Sequence, residues 1–271
     1  MTNWQQPNIH TRCLRANNPG PMTLEGTNSY VLGAADSATV VVVDPGPLLE
    51  DHLQALAEAG TVELILITHH HGDHTDGSAR LHQITGAPVR AAHPGFCHEG
   101  EPLGDGELIH AAGLEITVLA TPGHTSDSVC FEVADDAGHG AVLTGDTVLG
   151  QGTTVICHPD GRLGDYLDSL EKLRIRGSGG GALKALPGHG PLLDDLAMAA
   201  AAYQEHRRER LAQVRAAVEL LRTRTGESPG PAAVAAEVYG DVPANLQGAA
   251  QLSVEAQLDF LRSEEAGPPV S

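Results

Sequence analysis

The sequence is poor in basic and in aromatic residues. Lysine and arginine together number 16 against 35 aspartates and glutamates, which gives a formal net charge of −19, and aromatic residues make up 3% of the chain. A field of this sign repels polyanions at long range, so it argues against a general binder of nucleic acid, double-stranded DNA included, or of an anionic membrane surface. With few aromatic rings, aliphatic and alanine side chains must build the core. Bound metal ions would add positive charge that a residue count omits.

Cysteine is sparse, and long apolar runs are missing. The 4 cysteines lie far apart and form no CxxC pair, a usage typical of reduced thiols in a cytosolic protein. No stretch approaches the roughly 20 apolar residues that a membrane span needs. The first residues, MTNWQQPNIHTRC, carry no basic-then-apolar signal pattern. We therefore expect a cytoplasmic protein with no membrane partner.

Strand-like and helical segments alternate, which predicts an α/β chain. A hairpin is predicted from the two runs TNSYVLG and ATVVVVDPG. One helix is predicted over LLEDHLQALAEAG, with Gly60 as its C-cap, and another over residues 78–85. The apolar stretches VELILI, GLEITVLA, GAVLT and ALKALP are each followed by a loop that contains His or Asp. Loops at strand ends are where ligands converge in α/β architectures, so we expect these side chains to lie together.

The sequence turns helical from about Pro191. A helix with one apolar face is predicted over residues 195–225, and Gly226 can end this helix. The segment GESPGP then links it to a small helical module. We predict a catalytic domain over residues 1–195 and a C-terminal helical domain over residues 196–271. From residue 226 onward the sequence contains one basic residue, Arg262, and seven acidic residues. A module with so little positive charge is not expected to bind DNA. Its predicted role is to pack against the catalytic domain or to form a homodimer.

The loop ITHHHGDHTDG, residues 67–77, is dense in donor atoms, with four histidines and two aspartates. Burying them without a cation would be costly, so the loop is either a metal site or solvated. His69 and His71 alternate along an extended segment and can point the same way, and Asp73 and His74 follow a glycine that lets the backbone turn. This spacing allows the two imidazoles to bind one metal ion and the Asp–His pair to bind a second. Three later donors each sit in a glycine-containing turn after a strand: His124, Asp146 and His189.

The HxHxDH motif, followed by a His in PGH, an Asp in GD and a His in GHG, resembles the metallo-β-lactamase superfamily over roughly residues 20–195. The resemblance implies a four-layer αββα sandwich with a binuclear site at its edge. The implied ligands are His69, His71 and His124 for the first ion, Asp73, His74 and His189 for the second, and Asp146 between the two. Histidine with carboxylate favours Zn²⁺, although Mn²⁺ or Fe²⁺ accepts the same donors.

The resemblance also implies hydrolysis. Zinc lowers the pKa of bound water from 15.7 to about 7, so that a metal-bound hydroxide forms at neutral pH and attacks a carbonyl or phosphoryl group. Asp73 would be the catalytic residue that orients this nucleophile. Asp146 stands where several true β-lactamases carry Cys, and no export signal is present, so antibiotic hydrolysis is disfavoured. His71 argues against the diiron flavoprotein branch, which has Glu there.

Segments near both ends narrow the resemblance to the β-lactamase-like protein 2 group. TLEGTNSYVLG, GHGPLL and YQEHRRERL are similar to that group, whose members attach a small winged-helix-like domain. His70 departs from the bulky aromatic that relatives often carry, and we expect it to be a non-ligand on the opposite side of its segment. His93 and His98 lie outside the ligand pattern and are expected to be loop or surface residues.

The substrate stays open between a small-molecule ester or thioester and single-stranded RNA, since some members of the group are endoribonucleases. Six of the 16 basic residues lie on the helix over 195–225. Of these, Arg208, Arg215 and Arg222 recur at heptad spacing, either as a phosphate track or as a solvated helix edge. The alternative of another class is an oxidoreductase of the persulfide dioxygenase kind, with one iron at the His69, His71 and Asp146 position.

Two further side chains are candidates for substrate binding. His158 follows closely after Asp146 and could line a cleft. Arg207 lies on the apolar face of its helix, beside Leu211 and Val214. It would be pinned against the catalytic domain, either in an interdomain ion pair or as a clamp for a substrate anion.

Overall fold

Two mixed sheets form the centre of the computed structural model, which describes residues 4–134, 140–179, 183–243 and 246–266. The strands of the first sheet are β1 Gln5–Asn8, β2 Thr11–Arg15, β3 Asn28–Leu32, β4 Thr39–Val43, β5 Thr61–Leu66 and β6 Val89–Arg90. They pair in chain order. β1 to β4 are antiparallel, and β4, β5 and β6 are parallel. The predicted hairpin is confirmed as β3 and β4, with Tyr30 opposite Val43.

The second sheet is built from the middle of the chain. Its strands are β7 Leu108–Ala111, β8 Leu114–Ala120, β9 Val129–Val133, β10 Ala141–Gly145 and β11 Lys184–Pro187. Their order in the sheet is β11-β10-β9-β8-β7, and only β10 and β11 run parallel.

The main core lies between the two sheets because alternate side chains of each strand face inward. In β3, Tyr30 and Leu32 belong to this core, whereas Val31 belongs to the layer on the outer face. Phe131 and Leu143 fill the core from the second sheet. Aliphatic side chains dominate it, as the scarcity of aromatics predicts.

Helices cover both outer faces, so the predicted αββα order is confirmed. The helices are α1 Glu50–Ala57, α2 Gly72–Thr75, α3 Ser78–Thr85, α4 Leu163–Gly177, α5 Leu196–Thr225, α6 Pro231–Val238 and α7 Gln247–Ala266. Leu53 of α1 and Leu81 of α3 pack on the first sheet. Leu170 of α4 and Ala200 of α5 pack on the second.

The helix bounds match the sequence predictions closely, with one correction. α3 spans the predicted residues, and α5 begins after Asp195, whose side chain accepts from the Met198 N–H, and ends at Gly226 with φ +76. Gly60 does not cap α1, which ends at Ala57. A Cβ at Gly60 would lie 2.9 Å from Cγ1 of Val40. The glycine therefore lets the chain pass close to β4 as it enters β5.

The C-terminal part is helical, as predicted. The second half of α5 packs with α6 and α7 around Val214, Val234 and Val254. Between residues 196 and 266 the described positions contain helices and no strand. The boundary at residues 195 and 196, the winged-helix likeness and the homodimer stay predictions, and residues 267–271 of the predicted domain lie outside the described residues.

Among the helices of the described ranges, none is at once long and apolar enough to cross a membrane.

Replacing Phe131 with alanine is expected to lower the free energy of unfolding by about 3–5 kcal/mol, because a cavity opens in the core between the sheets. Phe131 is fully buried. Denaturant unfolding followed by circular dichroism measures the change. Ile175→Ala is the control, since Ile175 is 59% exposed and its truncation should have little effect. Equal losses in both variants would contradict this placement of the core.

Candidate metal centre

Donor atoms of the predicted ligands converge at one edge of the sandwich. They form three overlapping groups, within each of which the donor atoms lie within 4.8 Å of one another. The groups are His69, His71 and His124; His69, His74 and Asp146; and Asp73, His74 and His189. All seven predicted ligand residues are therefore brought together.

These side chains lie in loops at the ends of strands. The chain bends at residues 68–70 after β5, and Gly72 then begins the short helix α2, which carries Asp73 and His74. His124 lies beyond the end of β8, Asp146 directly follows β10, and His189 follows β11. Gly188 has to be glycine, because a Cβ there would lie 2.6 Å from Oδ1 of Asp146 and 2.7 Å from Cε1 of His74.

Ring nitrogens of different histidines face one another inside the cluster. Nδ1 of His71 lies 3.1 Å from Nε2 of His69 and 3.0 Å from Nε2 of His124. Nε2 of His74 lies 3.2 Å from Nε2 of His189. The structure thus contains two sets of inward-facing nitrogens.

Carboxylates lie between and beside these sets. Oδ1 of Asp146 is 3.4 Å from Nε2 of both His74 and His189, and its Oδ2 is 3.7 Å from Nε2 of His124. Asp73 Oδ2 is 3.1 Å from Nε2 of His189. Asp146 therefore borders both sets, and Asp73 borders one.

The outer nitrogen of most of these rings is held by a fixed acceptor. His124 Nδ1 donates to the carbonyl of Val155 at 2.6 Å, and His189 Nδ1 to the carbonyl of Gly26 at 3.3 Å. His74 Nδ1 donates to Oδ2 of Asp44 at 2.8 Å. Because these acceptors take the Nδ1 proton, Nε2 of each ring can present a lone pair to the cluster.

The arrangement fits metal ions. Facing lone pairs repel unless a proton or a cation lies between them, and Oδ1 of Asp146 is buried without a hydrogen-bond partner. Imidazole nitrogens with carboxylate oxygens are donors that zinc and other divalent transition metals accept. The cluster can therefore hold metal.

The electrostatics of the cluster point the same way. Burial lowers the pKa of His69 well below its ordinary value, that of His71 to about 4, and that of His124. Burial also opposes the charged form of His189, but Asp146 outweighs it and raises the pKa to about 9. A proton on His189 supplies positive charge that a divalent cation would supply instead, and binding would release it.

The remaining histidines lie outside the cluster. Nδ1 of His70 is 2.7 Å from Oδ1 of Asp127, and the His70 ring stacks near Phe96, so it faces away from the ligands. His93 caps a short turn by accepting from the Gly95 N–H, and His98 pairs by its backbone with Val89. His158 lies in a turn behind His124, where its N–H donates to the Ile156 carbonyl.

A cavity of about 330 Å³ opens from the cluster toward the C-terminal helices. His124 and Asp146 border it on one side, and Tyr239 and Leu246 on the other. Arg207 lines the same cavity. It contacts the N-terminal part of the chain through the Thr154 carbonyl and the Tyr166 ring, and neither contact is the ion pair that was one of its two predicted roles.

Sequence reasoning missed Asp44, which supports two of the cluster histidines. Its Oδ2 accepts from His74 Nδ1 and from the hydroxyl of Thr68 at 2.7 Å, and its Oδ1 accepts from the Thr68 N–H at 2.8 Å. The Thr68 oxygen in turn lies 3.0 Å from Nδ1 of His69. The signal was present, since Asp44 ends the apolar strand VVVVD.

Asp44→Asn is expected to weaken metal binding by about 10–100-fold, the usual loss when a partner behind the ligands is removed. The amide nitrogen would face either the Thr68 N–H or the His74 Nδ1–H, and one donor would lose its acceptor. Asp44 has φ +51, a conformation that asparagine also tolerates, so backbone strain is not the cause.

Competition with a chromophoric chelator measures the affinity. Asp51→Asn is the matched control, because Asp51 is exposed on α1. Equal metal affinity in both variants would contradict the role of Asp44.

Comparisons with known proteins agree with this fold and cluster. Residues 22–189 match the family model described as the metallo-beta-lactamase superfamily. The chain is 32% identical over 264 residues to the beta-lactamase-like protein 2 homolog of Caenorhabditis elegans, covering 93% of this chain and 83% of that protein. It is 30% identical over 242 residues to the atrochrysone carboxyl ACP thioesterase of Aspergillus fumigatus, covering 84% and 73%.

A solved structure shows the same fold over nearly the whole chain. The crystal structure of a metallo-beta-lactamase family protein from Thermus thermophilus superposes with a TM-score of 0.76 at 23% identity, and each chain is covered to 96%. The match to the family model and the similarity to the beta-lactamase-like protein 2 homolog confirm the resemblance drawn from the motifs. The chain belongs to the metallo-beta-lactamase superfamily.

Proposed function

We propose that this chain is a binuclear metal-dependent hydrolase that acts on a small-molecule thioester or a related ester. The observation that carries the proposal is the set of donor groups, which share His69 and His74 and place Asp146 between the inward-facing nitrogens. The proposed ligands are His69, His71 and His124 for one ion, Asp73, His74 and His189 for the other, and Asp146 for both. Zn²⁺ is the proposed metal, with Mn²⁺ or Fe²⁺ as alternatives.

Bound divalent cations would supply a lowered pKa for water and a positive charge at the carbonyl oxygen. Asp73 is the proposed catalytic residue. Burial opposes its ionisation, but the hydrogen bond from His189 and the charge of His74 outweigh burial and lower the pKa of Asp73. Its carboxylate is therefore ionised at neutral pH and can accept a hydrogen bond from the attacking water, which orients the water.

The overall reaction is addition of water across the acyl bond. A C–O bond forms at the carbonyl carbon, the C–S or C–O bond to the leaving group breaks, and the protons of water end on the leaving thiol or alcohol and on the bulk solvent. The chain's own part is to hold the acyl group beside the cluster, and the cavity behind His124 and Asp146 offers that space.

A thioester is favoured by the relatives and by the cavity. The Aspergillus fumigatus relative is named a thioesterase. Leu149, Tyr239 and Leu246 give the cavity apolar walls, which suit an acyl group better than a polyanionic strand.

The contacts of the arginine-rich helix do not support an RNA track. Of the three arginines at heptad spacing, Arg208 pairs with Glu205 at 3.4 Å and Arg215 with Glu264 at 2.8 Å, while Arg222 is exposed. Arg224 of the same helix pairs with Glu237 at 3.6 Å. Acidic partners neutralise charge that a phosphate backbone would need. For the mono-iron oxidoreductase, the complete group of Asp73, His74 and His189 favours a second ion instead.

The test compares a panel of thioesters and esters with a labelled single-stranded RNA, together with elemental analysis of the purified protein. We expect turnover of a thioester, no cleavage of the RNA and two divalent ions per chain. RNA cleavage without thioester turnover would refute the proposed substrate class. One iron per chain with oxygen consumption would refute the hydrolase.

A further inference from the structure

Arg207 is a buried cation that has no acidic partner among the residues described by the structure. Its side chain is 4% exposed, its guanidinium carbon lies 5.2 Å from the centre of the Tyr166 ring, and an Nη–H donates to the Thr154 carbonyl. Its Nε is buried and has no hydrogen-bond partner. None of the ion pairs within the described ranges includes Arg207. A buried charge in this condition is destabilising unless an anion joins it.

Other arginines of α5 show the opposite pattern. Arg208 and Arg215 are exposed, yet each has a glutamate within reach, at 3.4 Å and 2.8 Å. Arg208 and Arg215 are thus cations that water can solvate and that also have an acidic partner. Arg210 and Arg222 belong to no ion pair of the described ranges but are partly or fully exposed, so Arg207 is distinguished by being both buried and unpaired there. Packing alone does not account for a charged group at that position, because an apolar side chain of similar length would avoid the desolvation.

The surroundings of Arg207 identify what could join it. Arg207 lines the same cavity as His124 and Asp146 of the cluster, and apolar residues including Leu149, Val242 and Leu246 also line it. A guanidinium forms paired hydrogen bonds with a carboxylate in one plane. Residues of α5, of α7 and of the loop after β10 line the cavity.

We propose that Arg207 binds a carboxylate carried on the acyl part of the substrate, so that the enzyme acts on ω-carboxyacyl thioesters in preference to neutral ones. The proposal rests on the proposed thioester hydrolysis and names its substrate class. The acyl carbonyl would lie at the metal centre, and the distal carboxylate would lie at Arg207.

A structural role is the rival explanation. Thr154 accepts from Arg207 through its carbonyl, and its hydroxyl lies 3.2 Å from Nδ1 of His124. Arg207 could therefore act only by holding the loop behind that histidine. In that case its loss would lower metal content and slow all substrates alike, whereas a carboxylate contact affects charged substrates alone.

The experiment uses N-acetylcysteamine thioesters of succinate, glutarate and adipate, each paired with a neutral acyl group of the same carbon number. The wild-type chain should prefer the charged member of at least one pair by about 10–100-fold in kcat/KM, as expected for a charge-assisted bond. Arg207→Gln should remove the preference, and Arg207→Lys should keep part of it. Arg208→Gln is the matched control and should keep all of it. Metal content is measured for every variant.

A second readout does not depend on turnover. Calorimetry should show that the preferred free dicarboxylate binds the wild-type protein more tightly than the monocarboxylate of the same carbon number, and that Arg207→Gln abolishes the difference. If no thioester is hydrolysed but this difference holds, the proposed activity fails and the anion site stands. An unchanged ratio in Arg207→Gln, or an equal loss of activity on both members of a pair together with loss of metal, would overturn the proposal.

Discussion

Replacing Asp73 with asparagine is expected to lower kcat for thioester hydrolysis by about 10²–10⁴-fold, the range that a positioned acid–base group contributes. The carboxylate of Asp73 is 27% exposed and lies 3.1 Å from His189 and 3.5 Å from His74. It therefore faces both the inner nitrogens and the space where water enters. Asparagine keeps the shape but removes the negative charge, so it neither orients water nor balances a cation as well.

Asp76→Asn is the control for this change. Asp76 follows α2 and is exposed, so its loss should leave kcat within a few-fold of the wild type. Thermal unfolding and circular dichroism of both variants establish that they fold. Undiminished turnover by the Asp73→Asn chain would remove Asp73 from the catalytic role.

Removing metal with a chelator should abolish turnover and also lower thermal stability. If the ion is present at about 1,000 times its Kd, binding stabilises the folded state by about 4 kcal/mol per site. At roughly 2–4 °C per kcal/mol for a chain of this size, the Tm should fall by about 8–16 °C for each ion removed. The physical reason is that the inward-facing nitrogens and Asp146 are left without a shared cation.

Reconstitution completes this test. Adding back Zn²⁺, Mn²⁺ or Fe²⁺ one at a time shows which ion restores both turnover and Tm. Phe131→Ala, which weakens the core between the sheets and changes no predicted ligand, should lose stability but still gain Tm on metal addition. Full turnover after exhaustive chelation would contradict the metal-dependent mechanism.

The fold and the ligand set could be predicted because both depend on local patterns. β3 and β4 correspond to two strand-like runs that lie close together in the sequence, and the bounds of α5 are indicated by Asp195 before it and Gly226 after it. The seven donors lie in glycine-containing loops that follow apolar strands, and strand ends of a sandwich meet at one edge. Local sequence patterns were therefore enough to predict that side chains distant in the sequence lie together.

Contacts between distant segments could not be predicted. Asp44 lies 30 residues before His74 in the sequence, and although its place after the run VVVV marks it as a strand-end residue, that run does not indicate which histidine it supports. The Arg207 contact with Thr154 spans 53 residues and depends on how α5 crosses the second sheet. Helix geometry indicated that Arg207 faces inward, but the absence of an acidic partner in the described ranges could be learned only from the packed structure.

The length of α5 has a consequence for engineering. At 30 residues it is about 45 Å long, and it belongs to two separate apolar clusters, one under the second sheet and one with α6 and α7. Because α5 packs in both clusters, it supports the C-terminal wall of the cavity. None of the donor groups found among the described residues includes a residue of α5. A mutant library confined to α6 and α7 would therefore diversify which molecules enter without disturbing the reactive machinery, so selectivity and chemistry can be tuned in separate rounds.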